Sequence, residues 1–102
     1  MLAPIITDNL NEIKALCLTH KVKELYVFGS ATSDKFSNES DVDLLVEFNE
    51  ISIKIYAENY FDFIEKLEKL LGREIDLITA KYLKNRIFIK RLNETKQMLF
   101  AA

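Results

Sequence analysis

"YVFGSATSDKFSNESDVDLLVEF", residues 26–48, contains two apolar runs separated by a polar segment. The first run ends at Gly29-Ser30, and the second begins beside Asp41 and Asp43. Successive side chains of a β-strand point to opposite faces, so the two aspartates emerge on one face with Cα atoms roughly 7 Å apart. Carboxylates this close repel each other unless a cation lies between them, and Mg²⁺ prefers such oxygen ligands. The stretch therefore predicts a divalent-cation site on a strand.

The opposite face of this strand is wholly apolar, which is typical of a strand buried on one side. The apolar face contains Val42, Leu44, Val46 and Phe48, whereas Leu45 and Glu47 share the face of the aspartates. Glu47 lies further along the strand and is interpreted as a solvated residue. The strand is thus predicted to enter the core with one face and to present carboxylates on the other.

A third carboxylate and a turn complete the predicted site. In EIDLIT, residues 74–79, Asp76 faces away from its apolar neighbours. If this strand pairs beside the second one, Asp76 joins the other two aspartates, and three carboxylates is the number used when two metal ions flank a transferring phosphoryl group. Gly29 permits a sharp turn and close approach of a ligand. Ser30 begins a turn whose N–H groups can hold a phosphate oxygen.

A simpler interpretation of the same residues is structural. Ser40 and Asp41 are residue types that favour turns, and Asp76 could be a solvent-facing residue on an edge strand. The Gly-Ser upstream of Asp41 and the further aspartate downstream favour the interpretation as a site.

The remaining periodicities divide the chain into helices and strands. Helices are predicted from Pro4 through Cys17, over Tyr56–Leu71 and over Leu83–Leu92, and strands over Glu24–Phe28, Val42–Phe48 and Glu74–Thr79. Ala31–Ser40 is predicted to be a loop or a short helical turn. The order α-β-β-α-β-α predicts an α/β or α+β fold in which helices pack one small sheet. The length of 102 residues predicts one domain over residues 1–102.

The helix over Tyr56–Leu71 has the clearest amphipathic pattern. Its apolar face is predicted to contain Ala57, Tyr60, Phe61, Ile64, Leu67 and Leu71. Gly72 is predicted to end the helix. The aromatic residues of this segment are interpreted mainly as core, with one or two exposed for a protein partner. His20 is interpreted as solvated near a helix end, and Cys17 as a small apolar core residue.

Composition excludes several classes of function. The formal net charge of -2 provides no basic excess to neutralise phosphates, so no direct nucleic-acid binding is expected. The single cysteine cannot form an intrachain disulfide, which favours a cytoplasmic location. No apolar run approaches the length of a membrane span, so no membrane association is expected.

The combination of Gly29-Ser30, a ten-residue gap and Asp41-x-Asp43 resembles the signature of the DNA polymerase beta-like nucleotidyltransferase superfamily. SDVDLLVEF, followed by a helix and LLGREIDLIT, is similar in particular to the minimal nucleotidyltransferases of bacteria and archaea. The resemblance extends over nearly the whole chain. It implies a nucleotidyltransferase fold with a mixed sheet, and transfer of a nucleoside monophosphate from a nucleoside triphosphate.

The resemblance also implies roles for residues and a partner. Asp41 and Asp43 would bind Mg²⁺, and Asp76 would be the third carboxylate, which helps to activate the attacking hydroxyl. Gly29 and Ser30 would hold the nucleotide. Proteins of this kind are commonly encoded beside a HEPN-type ribonuclease toxin and act as antitoxins by adding AMP, taken from ATP, to a tyrosine of the toxin. The implied partner is therefore a HEPN-type toxin in a hetero-oligomer.

One position departs from the family pattern and leaves alternatives open. Members often carry an arginine just after the Gly-Ser, whereas residues 31–34 read ATSD. Lys35, or Arg86, Lys90 or Arg91 of the last helix, could contact the triphosphate instead. One alternative function is a non-catalytic antitoxin that neutralises its toxin by binding alone. Another is modification of a small molecule, although such enzymes usually add a helical domain.

Overall fold

The computed structural model describes residues 2–102 as four helices and four strands. Helices α1–α4 comprise Pro4–Thr7, Leu10–Thr19, Ile53–Leu71 and Arg86–Thr95, and strands β1–β4 comprise Val22–Phe28, Val42–Phe48, Ile75–Thr79 and Gln97–Ala101. Two short 3-10 turns, Gly29–Thr32 and Ala80–Tyr82, follow β1 and β3. Among the helices of residues 2–102, none has the length and apolar character needed to cross a membrane.

The strands form one mixed sheet in the order β3-β2-β1-β4. β2 and β3 are parallel, whereas β1 runs antiparallel to both β2 and β4. β3 and β4 consequently run in the same direction, and α4 connects them because parallel strands need a crossover. The prediction of a small mixed sheet packed by helices is confirmed.

Helices cover both faces of the sheet. The main core lies on the side of α1–α3 and includes three residues of β2 that are at most 1% exposed: Val42, Leu44 and Val46. On the other face, Leu45 joins Phe28 and Leu92 of α4 in a smaller cluster. Asp76 lies on that same face and is exposed. Helix α4 therefore covers only part of the face that carries the aspartates.

The predicted first helix is interrupted near its start. α1 and α2 are separated at Asp8 and Asn9, and the Asn9 side chain donates a hydrogen bond to the Ile5 carbonyl oxygen at 2.9 Å. Side chains of this type compete with the helix for backbone groups. The apolar positions of the pattern are nevertheless buried, among them Ile6, Ile13 and Cys17. The periodicity thus predicted the packing of this segment but not its break.

The last helix and the last strand differ from the prediction. α4 begins at Arg86 rather than at Leu83, because the Asn85 side chain accepts the N–H groups of the first turn at 3.0 Å. This N-cap satisfies donors that a helix start leaves unpaired. β4, Gln97–Ala101, lies outside every predicted element, since a five-residue apolar run has no decisive period.

His20 is buried, so its interpretation as a solvated residue is wrong. It is 5% exposed, and its Nε2 lies 2.7 Å from the Asp62 carboxylate of α3. Nδ1 lies 2.8 Å from the Leu16 carbonyl oxygen, and the ring packs against Phe63 with centroids 5.3 Å apart. Hydrogen bonds from Lys66 and then from His20 lower the pKa of Asp62. These contacts tie the end of α2 to α3.

The core-facing side of α3 is centred on Phe63 rather than on Phe61. Phe63 is fully buried, whereas Phe61, which was predicted on the apolar face, is 66% exposed. Leu67 and Leu71 are buried as predicted. Gly72 ends the helix in the left-handed conformation with φ of 67°, which confirms the predicted glycine stop.

Phe63→Ala is expected to lower the free energy of unfolding by about 3–5 kcal/mol, because it leaves a cavity at a fully buried position. Phe61→Ala is the matched control on the same helix. It is expected to change the free energy by less than about 0.5 kcal/mol, since its ring is largely solvated. Urea unfolding followed by circular dichroism measures both values. Equal losses in the two variants would contradict this assignment of the core face.

Candidate active site

Asp43 and Asp76 lie side by side on one face of the sheet. β2 and β3 pair in parallel with Asp43 opposite Asp76, and residues paired in this way point to the same face. Asp41 immediately precedes β2 and is exposed at the same end of the sheet. The structure therefore brings Asp43 and Asp76 together, with Asp41 at the entrance to the strand.

Burial and like charges act together on Asp43. The carboxyl is half-buried, and its pKa is raised first by burial and then by the negative charges of Asp76 and Asp41. Within residues 2–102, no lysine or arginine forms an ion pair with any of these three carboxylates. A cation bound at this face would relieve the repulsion between them.

Gly29 forms the wall of the site opposite Asp76. Its φ of 73° lies in the left-handed region, which glycine enters without steric cost. The preceding residue, Phe28, pairs with Asp43 across β1 and β2. A Cβ atom on Gly29 would overlap with Oδ2 of Asp43 and would lie 3.2 Å from its Cγ. Glycine is therefore needed both for the backbone conformation and for the space that the Asp43 carboxylate occupies.

The turn that contains Ser30 is fixed at its backbone. The Thr32 hydroxyl donates to the Gly29 carbonyl oxygen at 2.8 Å, and the Ala3 N–H donates to the Ala31 carbonyl oxygen at 2.9 Å. Ser30 is half-buried, and within residues 2–102 its hydroxyl forms no hydrogen bond. The hydroxyl can therefore bind a ligand one residue away from the contact between Gly29 and Asp43.

These groups suit a cation whose coordination the substrate completes. Among the side chains of residues 2–102, no three from His, Cys, Asp or Glu already form a metal cage. Mg²⁺ commonly binds one or two carboxylates together with substrate phosphates and water, rather than a cage made only of protein. Asp43, Asp76 and Asp41 offer oxygen ligands of this kind beside the Ser30 turn. The donor set therefore fits Mg²⁺.

The basic residues that were candidates for contacting a triphosphate lie in two segments. Lys35 lies between Ser30 and Asp41 and is exposed. Arg86, Lys90 and Arg91 belong to α4, whose Phe88 packs on Phe28, the partner of Asp43 in β1, with ring centroids 6.1 Å apart. Both segments therefore remain candidates for contacting a ligand at the aspartates.

A pocket of about 220 Å³ opens between α3 and the end of β3. Its lining residues are Tyr56, Ala57, Tyr60, Phe61, Thr79 and Tyr82. The Tyr60 hydroxyl donates to the Leu77 carbonyl oxygen at 2.6 Å, and burial followed by the charge of Asp76 raises the pKa of Tyr60. Phe61 and Tyr82 are 66% and 63% exposed. Of the aromatic residues interpreted mainly as core, Phe61 is thus exposed, at a pocket beside the end of the strand that carries Asp76.

Comparison with known proteins gives a family match over most of the chain. Residues 10–98 match the model of the nucleotidyltransferase domain. The protein adenylyltransferase MntA of Thermococcus cleftensis is 36% identical over 86 residues, which cover 76% of this chain and 84% of that protein. A Methanocaldococcus jannaschii protein named for the same activity is 39% identical over 93 residues, which cover 83% of this chain and 92% of that protein.

Solved structures share the fold. A minimal nucleotidyltransferase superposes with a TM-score of 0.75 at 27% identity, covering 93% of this chain and 94% of that one. A chain from the complex of a tri-AMPylated Shewanella oneidensis HEPN toxin with its MNT antitoxin superposes with a TM-score of 0.65. The match covers 94% of this chain and 72% of that one at 19% identity, and it shows the common fold.

Gly29→Ala is expected to destabilise the protein more than Gly72→Ala does. Both residues have positive φ, so each alanine costs about 1–2 kcal/mol in backbone strain. A Cβ atom at Gly72 meets nothing within 4 Å, whereas one at Gly29 overlaps with Asp43 and should add roughly 1–3 kcal/mol. Denaturant unfolding of the two variants measures the difference. Equal costs would show that the backbone does not pack against the Asp43 carboxylate.

Asp43→Asn is expected to stabilise the metal-free protein at pH 7. The folded-state pKa of Asp43 lies above its unfolded value of 3.8, so stability falls as the pH rises from the unfolded pKa and the loss is complete above the folded pKa. The advantage of the variant should vanish below the unfolded pKa, where the wild-type carboxyl is neutral in both states. Thermal unfolding of both proteins in the presence of a chelator, at pH 7 and at a pH below 3.8, measures the difference in stability. Glu47→Gln, further along the same face, is the control and should show no comparable gain.

Proposed function

The chain belongs to the nucleotidyltransferase domain family, and we propose that it transfers AMP from ATP to a tyrosine hydroxyl of a HEPN-type toxin, for which it acts as the antitoxin. The observation that carries the proposal is the pairing of Asp43 with Asp76 in register on neighbouring strands, with the Asp43 carboxylate packed against the backbone of Gly29. Nucleotidyl transfer depends mainly on positioning and on stabilisation of charge, and these groups supply both.

In this mechanism each site residue has one task. Asp41 and Asp43 hold Mg²⁺, with Asp76 beside them, and the turn at Gly29 and Ser30 holds the phosphates that leave as pyrophosphate. The acceptor oxygen forms a bond to the α-phosphorus, the bond from that phosphorus to the β-phosphate oxygen breaks, and the hydroxyl proton passes to the Asp76 carboxylate. Mg²⁺, when bound, neutralises charge that develops on the phosphoryl oxygens.

The acceptor is proposed to be a protein. Residues 1–102 act here as a single nucleotidyltransferase domain, and the described residues provide one sheet without a second lobe that could enclose a small acceptor. An acceptor protein brings its own binding surface. The names of the relatives, which are protein adenylyltransferases, and the AMPylated HEPN toxin in the Shewanella complex support this choice.

The contact surface for the toxin is proposed to include the exposed aromatic residues near β3. Phe61 and Tyr82 border the pocket and are more than half exposed, while Tyr56 and Tyr60 stack on each other with ring centroids 6.4 Å apart. Rigid, half-buried aromatic residues of this kind are common at protein interfaces. The surface lies at the end of β3, the edge strand that carries Asp76, so a helical partner docked there contacts the same strand as the site.

One observation favours a second candidate function, in which the chain neutralises its toxin by binding alone. Ala31 follows Ser30 where relatives of this type often carry an arginine, and that arginine would contact the triphosphate. A chain that had lost transfer would still need its toxin-binding surface. The two functions make different predictions for a variant in which only the charge of Asp43 is removed.

Asp43→Asn is expected to reduce AMP incorporation into the partner by at least about 10²–10³-fold, because it removes one charged metal ligand. Binding of the toxin should not change. The protein, the toxin encoded beside it, ATP and Mg²⁺ are mixed, and AMP incorporation is measured as the intact mass of the toxin. Neutralisation of the toxin's ribonuclease activity is measured in parallel.

Glu47→Gln is the control, since Glu47 lies on the same strand but is exposed, and its one ion pair among the described residues is with Lys23 at 3.7 Å. It should transfer AMP at the wild-type rate. Full transfer by Asp43→Asn would overturn the metal-site assignment. Absence of transfer by the wild type, with neutralisation intact, would replace the enzyme with the binding-only antitoxin.

A further inference from the structure

Arg73 connects the start of β3 to the polar segment that precedes Asp41. Its Nη1 donates hydrogen bonds to the carbonyl oxygens of Ser37 at 3.0 Å and Ser40 at 2.9 Å. These two acceptors lie 36 and 33 residues earlier in the chain. One guanidinium nitrogen therefore fixes both ends of a four-residue turn that the sequence alone assigns to a loop.

The turn between Ser37 and Ser40 is closed by its own hydrogen bonds as well. The Ser40 N–H donates to the Ser37 carbonyl oxygen at 3.1 Å, and the Ser37 N–H donates to the Ser40 hydroxyl at 3.0 Å. Asp41 follows directly, and the next residue, Val42, donates its N–H to the Glu74 carbonyl oxygen at 3.0 Å. Hydrogen bonds therefore hold the backbone on both sides of Asp41. Ser40 is bonded to Arg73, and Val42 is bonded to Glu74, the residue after Arg73.

Phe36 completes the arrangement around the guanidinium. Its ring lies under Arg73 with 4.5 Å between Cζ and the ring centroid, and it packs on the edge of the main core. The Nε of Arg73 is buried and has no hydrogen-bond partner within residues 2–102, which is an unfavourable position for a donor. The site tolerates this because the guanidinium plane stacks on the Phe36 ring while Nη1 alone donates to both carbonyl oxygens.

We propose that Arg73 is a positioning residue: by holding the turn between Ser37 and Ser40, it fixes Asp41 relative to the Asp43–Asp76 pair for binding of the metal and its nucleotide. The inference rests on the proposed function, because Asp41 is a metal ligand only in that mechanism. Arg73 itself does not touch the reacting atoms. Its effect is transmitted through the backbone that ends at Asp41.

The first test measures the turn without any catalytic readout. Lys35 lies two residues before Ser37, so tryptic cleavage after Lys35 reports how often this segment opens. Arg73→Gln is expected to accelerate this cleavage about tenfold or more, as the loss of two charge-assisted hydrogen bonds would predict. Lys69→Gln removes an exposed charge on α3 and is the matched control, which should cleave at the wild-type rate.

The second test measures the site. Binding of Mn²⁺, followed by electron paramagnetic resonance, should weaken in Arg73→Gln by about tenfold. The KM for ATP should rise more than kcat falls, because the variant displaces the metal ligand Asp41 but keeps the proton acceptor Asp76. Arg73→Lys keeps a nitrogen that can donate to both carbonyl oxygens, so it should recover part of both losses.

Wild-type cleavage at Lys35 and wild-type Mn²⁺ affinity in Arg73→Gln would overturn the proposal. The proposed function can fail separately. If the wild type transfers no AMP while cleavage and Mn²⁺ affinity still depend on Arg73, the enzyme assignment is wrong and the positioning role stands.

Discussion

Two carboxylates held side by side in a partly buried position are the constraint on which this structure depends. Asp43 and Asp76 are opposite each other in the parallel pair of β2 and β3, and burial with like charge raises the pKa of Asp43. Such a pair opposes folding unless a cation is bound, so the strand needs another source of stability. Val42 and Leu44, on either side of Asp43, provide it by packing into the main core. Alternate residues of one strand therefore serve stability and function separately.

The irregular segments around the carboxylates are held through their backbone as well as by side chains such as Ala31 and Phe36 that pack on the main core. The Gly29–Thr32 turn is attached to the N–H of Ala3, and the turn at Ser37 and Ser40 is attached to Arg73. Both attachments come from distant parts of the sequence. Asp41 and Asp76 stay exposed beside these segments, whereas α4 covers Phe28 and Leu45 on the same face. The same fold can therefore be rigid at the carboxylates and open to a substrate.

Particular residues show what the sequence could and could not predict. The alternation from Val42 to Phe48 predicted the bounds of β2 and its buried apolar face, because side chains that alternate every two residues point to opposite faces of a strand. On α3 the aromatic residues are too closely spaced for periodicity to separate buried Phe63 from exposed Phe61. The burial of His20 and the contacts of Arg73 depend on partners 42 and more than 30 residues away. Long-range contacts of this kind leave no local pattern.

The alanine after Ser30 has a physical meaning once the charges around the site are considered. Asp41, Asp43, Asp76 and a triphosphate are all negative, and Lys35 is the only basic residue between Ser30 and Asp41. In the proposed function, affinity for ATP must then come mainly from the bound metal and from backbone N–H groups of the turn. An arginine is charged at every relevant pH and binds phosphate with or without metal. A phosphate contact that is bridged by a metal ion disappears when the metal is removed. In the proposed function, nucleotide binding is therefore expected to depend more strongly on metal in this chain than in a chain that carries the arginine.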